Sequence, residues 1–262
     1  MILDEIVART RLRVAAKKEI ISPKEMRAKA EAMANDCEFP FEKALATGDL
    51  SFICEVKKAS PSQGLIATDF PYVRIAREYE VAGAAAISCL TEPFYFQGKD
   101  EYLMEISRTV KIPVLRKDFI IDNYMIYEAK TLGAAAVLLI CAILNQDLLE
   151  NYIDITHRLG LSALVETHNE KEVQRALAAG ARIIGVNNRD LTTFEVDHNT
   201  SVRLRPLVPA DILFVSESGI KSADDIRVLR ENRVDAALVG ETLMRKKDKK
   251  AALAGLRGER LD

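Results

Sequence analysis

Gly133-Ala-Ala-Ala-Val-Leu-Leu-Ile-Cys-Ala-Ile-Leu144 is the longest apolar run in the 262-residue sequence. At 12 residues it falls well short of the roughly 20 that a membrane-spanning helix needs. A glycine stands at its front and branched residues at its centre, so it reads as a helix end followed by a buried strand over 136–142. The same Gly-Ala step recurs at Gly83-Ala84 and Gly180-Ala181, and Asp235-Ala236 takes its place before a fourth run. Working outward from these steps gives strand candidates at 52–58, 85–91, 113–119, 136–142, 162–167, 183–188, 212–218 and 236–240. Their first residues lie about 26 positions apart on average, enough for one strand, one helix and two short loops. Eight such units predict an α/β fold, a closed (β/α)8 TIM barrel rather than an open sheet.

The segments between the strands carry helical stripes. Tyr72, Ile75, Ala76 and Tyr79 form one, and Leu148, Tyr152, Ile155 and Leu159 form another. The first 45 residues fit no βα unit. Ile2 to Lys18 reads as a helix that offers Leu3, Ile6, Val7 and Leu12 for packing, and Ser22-Pro23 opens a second. The expected organisation is a single domain over 1–262, with a helical extension (1–45) and the barrel (46–262). The extension either plugs the bottom of the barrel or covers its mouth.

Charge narrows the function. Lys and Arg number 37 against 39 Asp and Glu, so the strongly basic surface of a nucleic-acid binder is absent. Asp4, Glu5 and Arg9 stand where a secretory signal needs apolar residues. Cys37, Cys54, Cys89 and Cys141 are far apart, and three of them sit in apolar runs as buried free thiols suit. A cytoplasmic protein is expected, without a membrane, nucleic-acid or obligate protein partner. The run Lys246-Lys247-Asp248-Lys249-Lys250 reads as a solvated helix face.

Alternation along each strand exposes the chemistry, because residues two apart share a face. Ile53, Glu55 and Lys57 line up, as do Leu115, Lys117 and Phe119, then Leu164 and Glu166. Ile183, Gly185 and Asn187 follow, and Leu213, Val215 and Glu217 after them. Each face begins apolar and turns polar at its carboxyl end. Glu55, Lys57, Lys117, Glu166 and Glu217 therefore converge at one rim, where barrel enzymes place their active sites. An ion-pair network is the plainer alternative. Ser218-Gly219 and Val239-Gly240 end the seventh and eighth strands, with helix starts at Ser222 and Glu241. Glycine turns at these two positions suit a phosphorylated small molecule. His157, His168 and His198 show no ligand spacing, so neither metal nor cofactor is expected. His168 shares a face with Glu166, but a lone histidine at a strand end is more often structural or solvated.

Six segments carry a resemblance. They are Glu55-Val-Lys57-Lys-Ala-Ser60-Pro61-Ser62, Leu90-Thr-Glu-Pro93 and Leu115-Arg-Lys117-Asp-Phe119, then Leu164-Val-Glu166-Thr-His168, Ile184-Gly-Val-Asn187-Asn-Arg189-Asp-Leu191 and Ser216-Glu217-Ser218-Gly219-Ile220. In order along nearly the whole chain, they resemble the indole-3-glycerol-phosphate synthases, in a single-function rather than fused form. The helix from Ile2 looks like that family's extra helix. The resemblance implies a carboxy-lyase of tryptophan biosynthesis. It would close 1-(2-carboxyphenylamino)-1-deoxyribulose 5-phosphate to indole-3-glycerol phosphate, with loss of CO2 and water.

It also implies roles. Lys117 matches the general acid for ring closure; crowding by Lys57 and apolar walls is expected to destabilise its ammonium and favour donation. Glu166 matches the general base, and Lys57 would hold the substrate carboxylate. Glu55, Asn187 and Glu217 complete the implied catalytic set by orienting these groups. Pro61 and Phe119 would line the aromatic pocket, with Ser60 and Leu238 as further substrate contacts. Ser218, Gly219, Gly240, Glu241 and Arg189 would serve the phosphate end.

Two positions depart from the family. Ala59 stands where members often carry a lysine that contacts the phosphate, and Glu241 where a serine often follows the strand-eight glycine. A carboxylate beside a phosphate is unfavourable, so Glu241 is expected to offer only its backbone N–H, with Thr242 available to compensate. The competing readings are another phosphosugar barrel enzyme, such as a phosphoribosylanthranilate isomerase, and a non-catalytic ligand-binding barrel. The isomerase needs a Cys and an Asp at strand ends, and Cys54 falls on the face opposite Glu55.

Overall fold

The computed structural model describes residues 2–35, 38–190 and 193–259. Cys37 and Leu191 lie outside the described residues. Eight parallel strands form one closed barrel, each paired with its sequence neighbours and the last with the first. They are β1 (Ser51–Val56), β2 (Ala86–Leu90), β3 (Val114–Lys117), β4 (Ala136–Ile140), β5 (Ser162–Thr167), β6 (Ile183–Asn187), β7 (Leu213–Glu217) and β8 (Ala236–Val239). All eight fall inside the runs the sequence marks, apart from Ser51 at the start of β1.

Two cores follow from the alternation. Ile53, Ala86, Leu115, Ala136, Leu164, Ile183, Val215 and Ala236 fill the barrel interior. Phe52, Cys54, Val56, Cys89, Val137, Val165 and Ile184 point outward into the helical layer. Cys54, Cys89 and Cys141 are buried free thiols. Gly83, Gly133 and Gly180 adopt φ of 85°, 86° and 77°, closing helices as the repeat requires. Before β8 the left-handed residue is Arg233, at φ 56°. Asp235 instead accepts a hydrogen bond from the Phe214 N–H at 2.8 Å, so the fourth copy of the step is displaced by two residues.

The extension divides between both expected places. Helix α1 (Ile2–Ile20) lies at the mouth, where Ile2, Leu3 and Ile6 line the central cavity. Helix α2 (Pro23–Glu31) opens on Ser22, whose side chain accepts from the Glu25 N–H. Helix α3 (Pro40–Leu45) closes the opposite end, where Phe41 and Leu45, 0% and 1% exposed, pack onto the inner core. Leu12 does not pack: it is 73% exposed, because Ile6, Thr10 and Val14 make the buried face of α1. Leu148 also stands out of its stripe, and Leu149 is buried in its place.

Lys249 corrects the reading of the basic run. Its ammonium is buried and donates to the carbonyls of Leu243, Met244 and Lys246 at 2.9, 3.0 and 2.6 Å. The lysine thus adds a donor to the carbonyls at and just beyond the end of a short helix, Glu241–Met244. Among the described residues, no helix is long and apolar enough to cross a membrane.

Candidate active site

A cavity of about 460 Å³ opens at the carboxyl ends of the strands. Glu55, Lys57, Lys117, Glu166, Asn187 and Glu217 all line it. So do Ser60, Pro61, Phe119, Arg189, Ser218, Gly219, Leu238, Gly240 and Glu241. Strand register explains the convergence: Glu217 lies level with Asn187 on one side and Leu238 on the other, and Glu166 with Ile140 and Gly185.

Lys117 is the centre of the cluster. Its ammonium lies 3.0 Å from Glu166 Oε2 and 3.1 Å from Glu217 Oε2. Lys57 pairs with Glu55 at 2.7 Å, and Ser88 donates to the other oxygen of Glu55 at 3.2 Å. Gly240 permits this pair, since a Cβ there would come within 2.5 Å of Glu55 Oε1 and 2.9 Å of Lys57 Nζ.

One cation shared by two carboxylates leaves them unlike. Burial pushes both carboxyls up. At Glu166 the charges of Lys117 and His168, with hydrogen bonds from Lys117 and Asn187, reverse that push and leave it below its ordinary value. At Glu217 Lys117 opposes burial less effectively while the charge of Glu166 adds to it, and the carboxyl rises to about 7. Burial lowers the Lys117 ammonium's hold on its proton, but Glu166, Glu217 and Glu55 more than restore it, so its pKa is raised. The expectation of a destabilised ammonium is therefore wrong. Lys57 is taken up by Glu55, and three carboxylates surround Lys117. Glu55 itself is pushed up by burial, but Lys57 and Lys117 hold it low.

The phosphate end departs from expectation in detail. Ser218 and Gly219 both adopt left-handed backbone, φ 67° and 84°, a turn that leaves Gly219 no room for a Cβ beside Val196 and His198. The Glu241 side chain is engaged by Arg245, Nε to Oε1 at 3.0 Å. Thr242 offers no compensating hydroxyl, because its Oγ1 donates to the Ile220 carbonyl at 2.6 Å. The Arg189 guanidinium donates to the Phe194 carbonyl at 2.9 Å.

Sequence reading missed Arg245, Lys221 and Gln63, which line the same end of the cavity. Arg245 Nη2 donates to Gln63 Oε1 at 3.0 Å, across a small hairpin in which Ala59–Ser60 pairs with Gly64–Leu65. No local signal marks Arg245, which looks like any polar residue at a helix end. The missed apolar wall, Ile2, Leu3 and Ile6, comes from the far end of the chain.

Cys54 is 0% exposed in the outer core and does not line the cavity, so the strand-end cysteine of the isomerase reading is lacking.

A closed parallel barrel with its acids and lysines gathered at one mouth defines a (β/α)8-barrel enzyme. Solved structures share the fold. 3-Hexulose-6-phosphate synthase superimposes with a TM-score of 0.65 over 80% of this chain and 99% of its own, at 14% identity. Thiamine phosphate pyrophosphorylase from Pyrococcus furiosus gives 0.61 over 80% and 95%, at 19% identity. Sequence comparison is more specific. The pattern of the indole-3-glycerol phosphate synthase family matches residues 3–256. The chain is 58% identical to the indole-3-glycerol phosphate synthase of Ruminiclostridium cellulolyticum over 98% of this chain and 99% of that protein. It is 58% identical to that of Endomicrobium trichonymphae over 94% and 95%. The chain belongs to the indole-3-glycerol phosphate synthase family.

Proposed function

We propose that the cavity closes 1-(2-carboxyphenylamino)-1-deoxyribulose 5-phosphate to indole-3-glycerol phosphate with release of CO2 and water, and that the residues around Lys117 divide the proton transfers. The observation that carries this reading is the single ammonium of Lys117 held between two carboxylates of opposite tendency, 3.0 and 3.1 Å away.

The aromatic carbon bearing the substrate's carboxylate attacks the ketone carbon, and the carbonyl oxygen becomes an alkoxide. An alkoxide is a stronger base than an amine, so it takes a proton even from an ammonium held as firmly as that of Lys117. The positive charge then carried through the ring nitrogen draws in the electrons of the carbon–carboxylate bond. CO2 leaves and the aromatic ring is restored. In the last step the new hydroxyl departs as water with a proton from the acid. Glu166, kept anionic by Lys117, takes the proton from the carbon beside nitrogen, and the indole double bond forms.

Lys57, with Glu55 behind it, faces the substrate's carboxylate until CO2 departs. Pro61, Phe119, Leu3 and Ile6 hold the aromatic ring, with Ser60 and Leu238 beside the substrate's chain. The phosphate sits at the backbone of Ser218-Gly219 and Gly240-Glu241. Arg245 and Lys221 supply the positive charge that Ala59 does not, and Glu241 is tolerated because Arg245 neutralises it. Arg189 acts indirectly, by fixing the loop that borders this end. A cytoplasmic location fits the three buried free thiols.

Mixing the purified chain with the carboxyphenylamino substrate should produce indole fluorescence. A chain that binds the substrate without turnover would favour the ligand-binding barrel. One that instead consumes phosphoribosylanthranilate would favour the isomerase.

A further inference from the structure

His168, set aside as a lone histidine by its sequence context, does more than close β5. Its ring stands between two carboxylates. Nδ1 lies 3.1 Å from Glu172 Oε2 on the helix Glu170–Ala178. Nε2 lies 3.4 Å from Glu166 Oε1 and, although buried, has no hydrogen-bond partner among the described residues. The opposite oxygen of Glu166 faces the Lys117 ammonium at 3.0 Å. Four groups thus form one series: Glu172, His168, Glu166, Lys117.

Helix capping does not account for the imidazole. Asn169 caps the helix by accepting from the Glu172 N–H at 3.0 Å, and the backbone N–H of His168 donates to Glu172 Oε2 at 2.9 Å. Ring Nδ1 reinforces that turn by its contact with the same Glu172 oxygen, but the Nε2 side, which faces Glu166, has no part in it. Neither His168 nor Glu172 lines the cavity, yet both side chains keep 15% exposure, against 3% for Glu166. The outer end of the series therefore keeps contact with solvent without being part of the cavity wall.

The reaction needs such a route. The substrate's carboxylate leaves as neutral CO2, so one proton is taken up from solution in each turnover, and it must reach Lys117 while substrate fills the mouth. We propose that Glu172 and His168 are a proton-delivery relay behind Glu166. His168, as imidazolium, gives its Nε2 proton to Glu166; the neutral ring, its remaining proton on Nδ1, then turns over, and the bare nitrogen takes a proton from Glu172, which is recharged from water. Glu166 turns its acid group and passes a proton to the neutral amine of Lys117, becoming a carboxylate again. Only N–H and O–H bonds break and form.

The charges around His168 suit an imidazolium. Burial lowers its pKa, but Glu172 and Glu166, with Glu217 on β7, outweigh burial and raise it. Lys117 is the cation beyond Glu166. Both His168 and Glu172 act through Glu166 and touch no substrate.

The relay rests on the proposed reaction, and the test separates the two. In His168→Ala, kcat should fall about tenfold with KM changed less than about twofold, and added imidazole should restore most of the loss. Glu172→Gln, which keeps the ring, should lower kcat in the same direction. Unchanged kcat in both variants would overturn the relay, as would a loss in His168→Ala that imidazole does not repair. A wild-type chain inert toward the substrate would overturn both proposals. An active one with unaffected variants would overturn only this one.

Discussion

Arg116 and Lys117 are neighbours on β3, yet alternation sends them into two charged clusters on opposite faces of the barrel wall. Outside the wall, Arg116 is 0% exposed and donates to Asp100 and Glu128 at 2.9 and 2.7 Å, to the Met125 carbonyl at 2.9 Å and to Thr91 Oγ1 at 3.2 Å. Asp118 accepts from Arg13 at 2.8 Å and from Thr91 at 2.6 Å. Lys17 closes the ring with bonds to Asp100 and Glu128. Three of these acids and bases shift toward their charged forms: burial opposes ionisation at Asp100, Asp118 and Arg116, and the opposite charges override it. Inside the wall the groups are as deeply placed, but the pairing is incomplete. Among the described residues Glu217 Oε1 and His168 Nε2 have no hydrogen-bond partner, and Glu217 keeps its proton to about 7. A fully partnered cluster holds the fold: Arg13 clamps α1 to Asp118, and Lys17 clamps it to the helices on either side of β3 through Asp100 and Glu128. An under-partnered cluster beside a cavity retains protons to move.

The sharpest way to break this contrast is to exchange the two neighbours one at a time. Lys117→Ala should lower kcat by about 10³- to 10⁴-fold, read by indole fluorescence, while calorimetry still detects substrate binding. Near-normal turnover would remove the inner cluster from the chemistry. Arg116→Ala should leave the kinetics of the folded enzyme close to wild type but cost about 3–5 kcal/mol in urea unfolding, because Asp100 and buried Glu128 keep only Lys17 as a cationic partner. Lost turnover at unchanged stability would reverse the roles of the two clusters.

The smallest effect is a slope. Folded Glu217 releases its proton near 7, against the ordinary carboxyl value of 4.5. Between these values the folded chain binds the extra proton. Its stabilising contribution is complete at low pH and is lost as pH rises through about 7, at no more than about 1.4 kcal/mol per pH unit. The depressed carboxyls of Asp118 and Asp100 act oppositely, stabilising at neutral pH and losing that contribution in acid. Urea unfolding of wild type and Glu217→Gln between about pH 5 and 8 should show stability falling more steeply with pH in the wild type. Parallel curves would mean that Glu217 is ionised throughout, like its counterparts outside.

The sequence exposes one of these clusters and conceals the other. Lys117 is legible because an inward position at a strand end carries a charge where apolar residues precede it. Arg116 is not, since one more arginine in a strand announces neither its face nor its partners, and Asp100, Glu128, Arg13 and Lys17 sit in three different helices. Leu12, Lys249 and Arg245 fail for the same reason. Their neighbours in space are distant or unremarkable in sequence.

Apolar periodicity, the repeat length and the helix-ending glycines determine the barrel, the register of its faces and the set of groups at its mouth. These are short-range properties, settled by backbone geometry and by which side of a strand must leave water. Tertiary structure alone decides the charge each group carries. Lys117 holds its proton firmly rather than loosely, Glu217 and Glu166 part company around it, and His168 comes to face both Glu166 and Glu172, because Coulomb energies depend on distances and burial that no stretch of sequence contains.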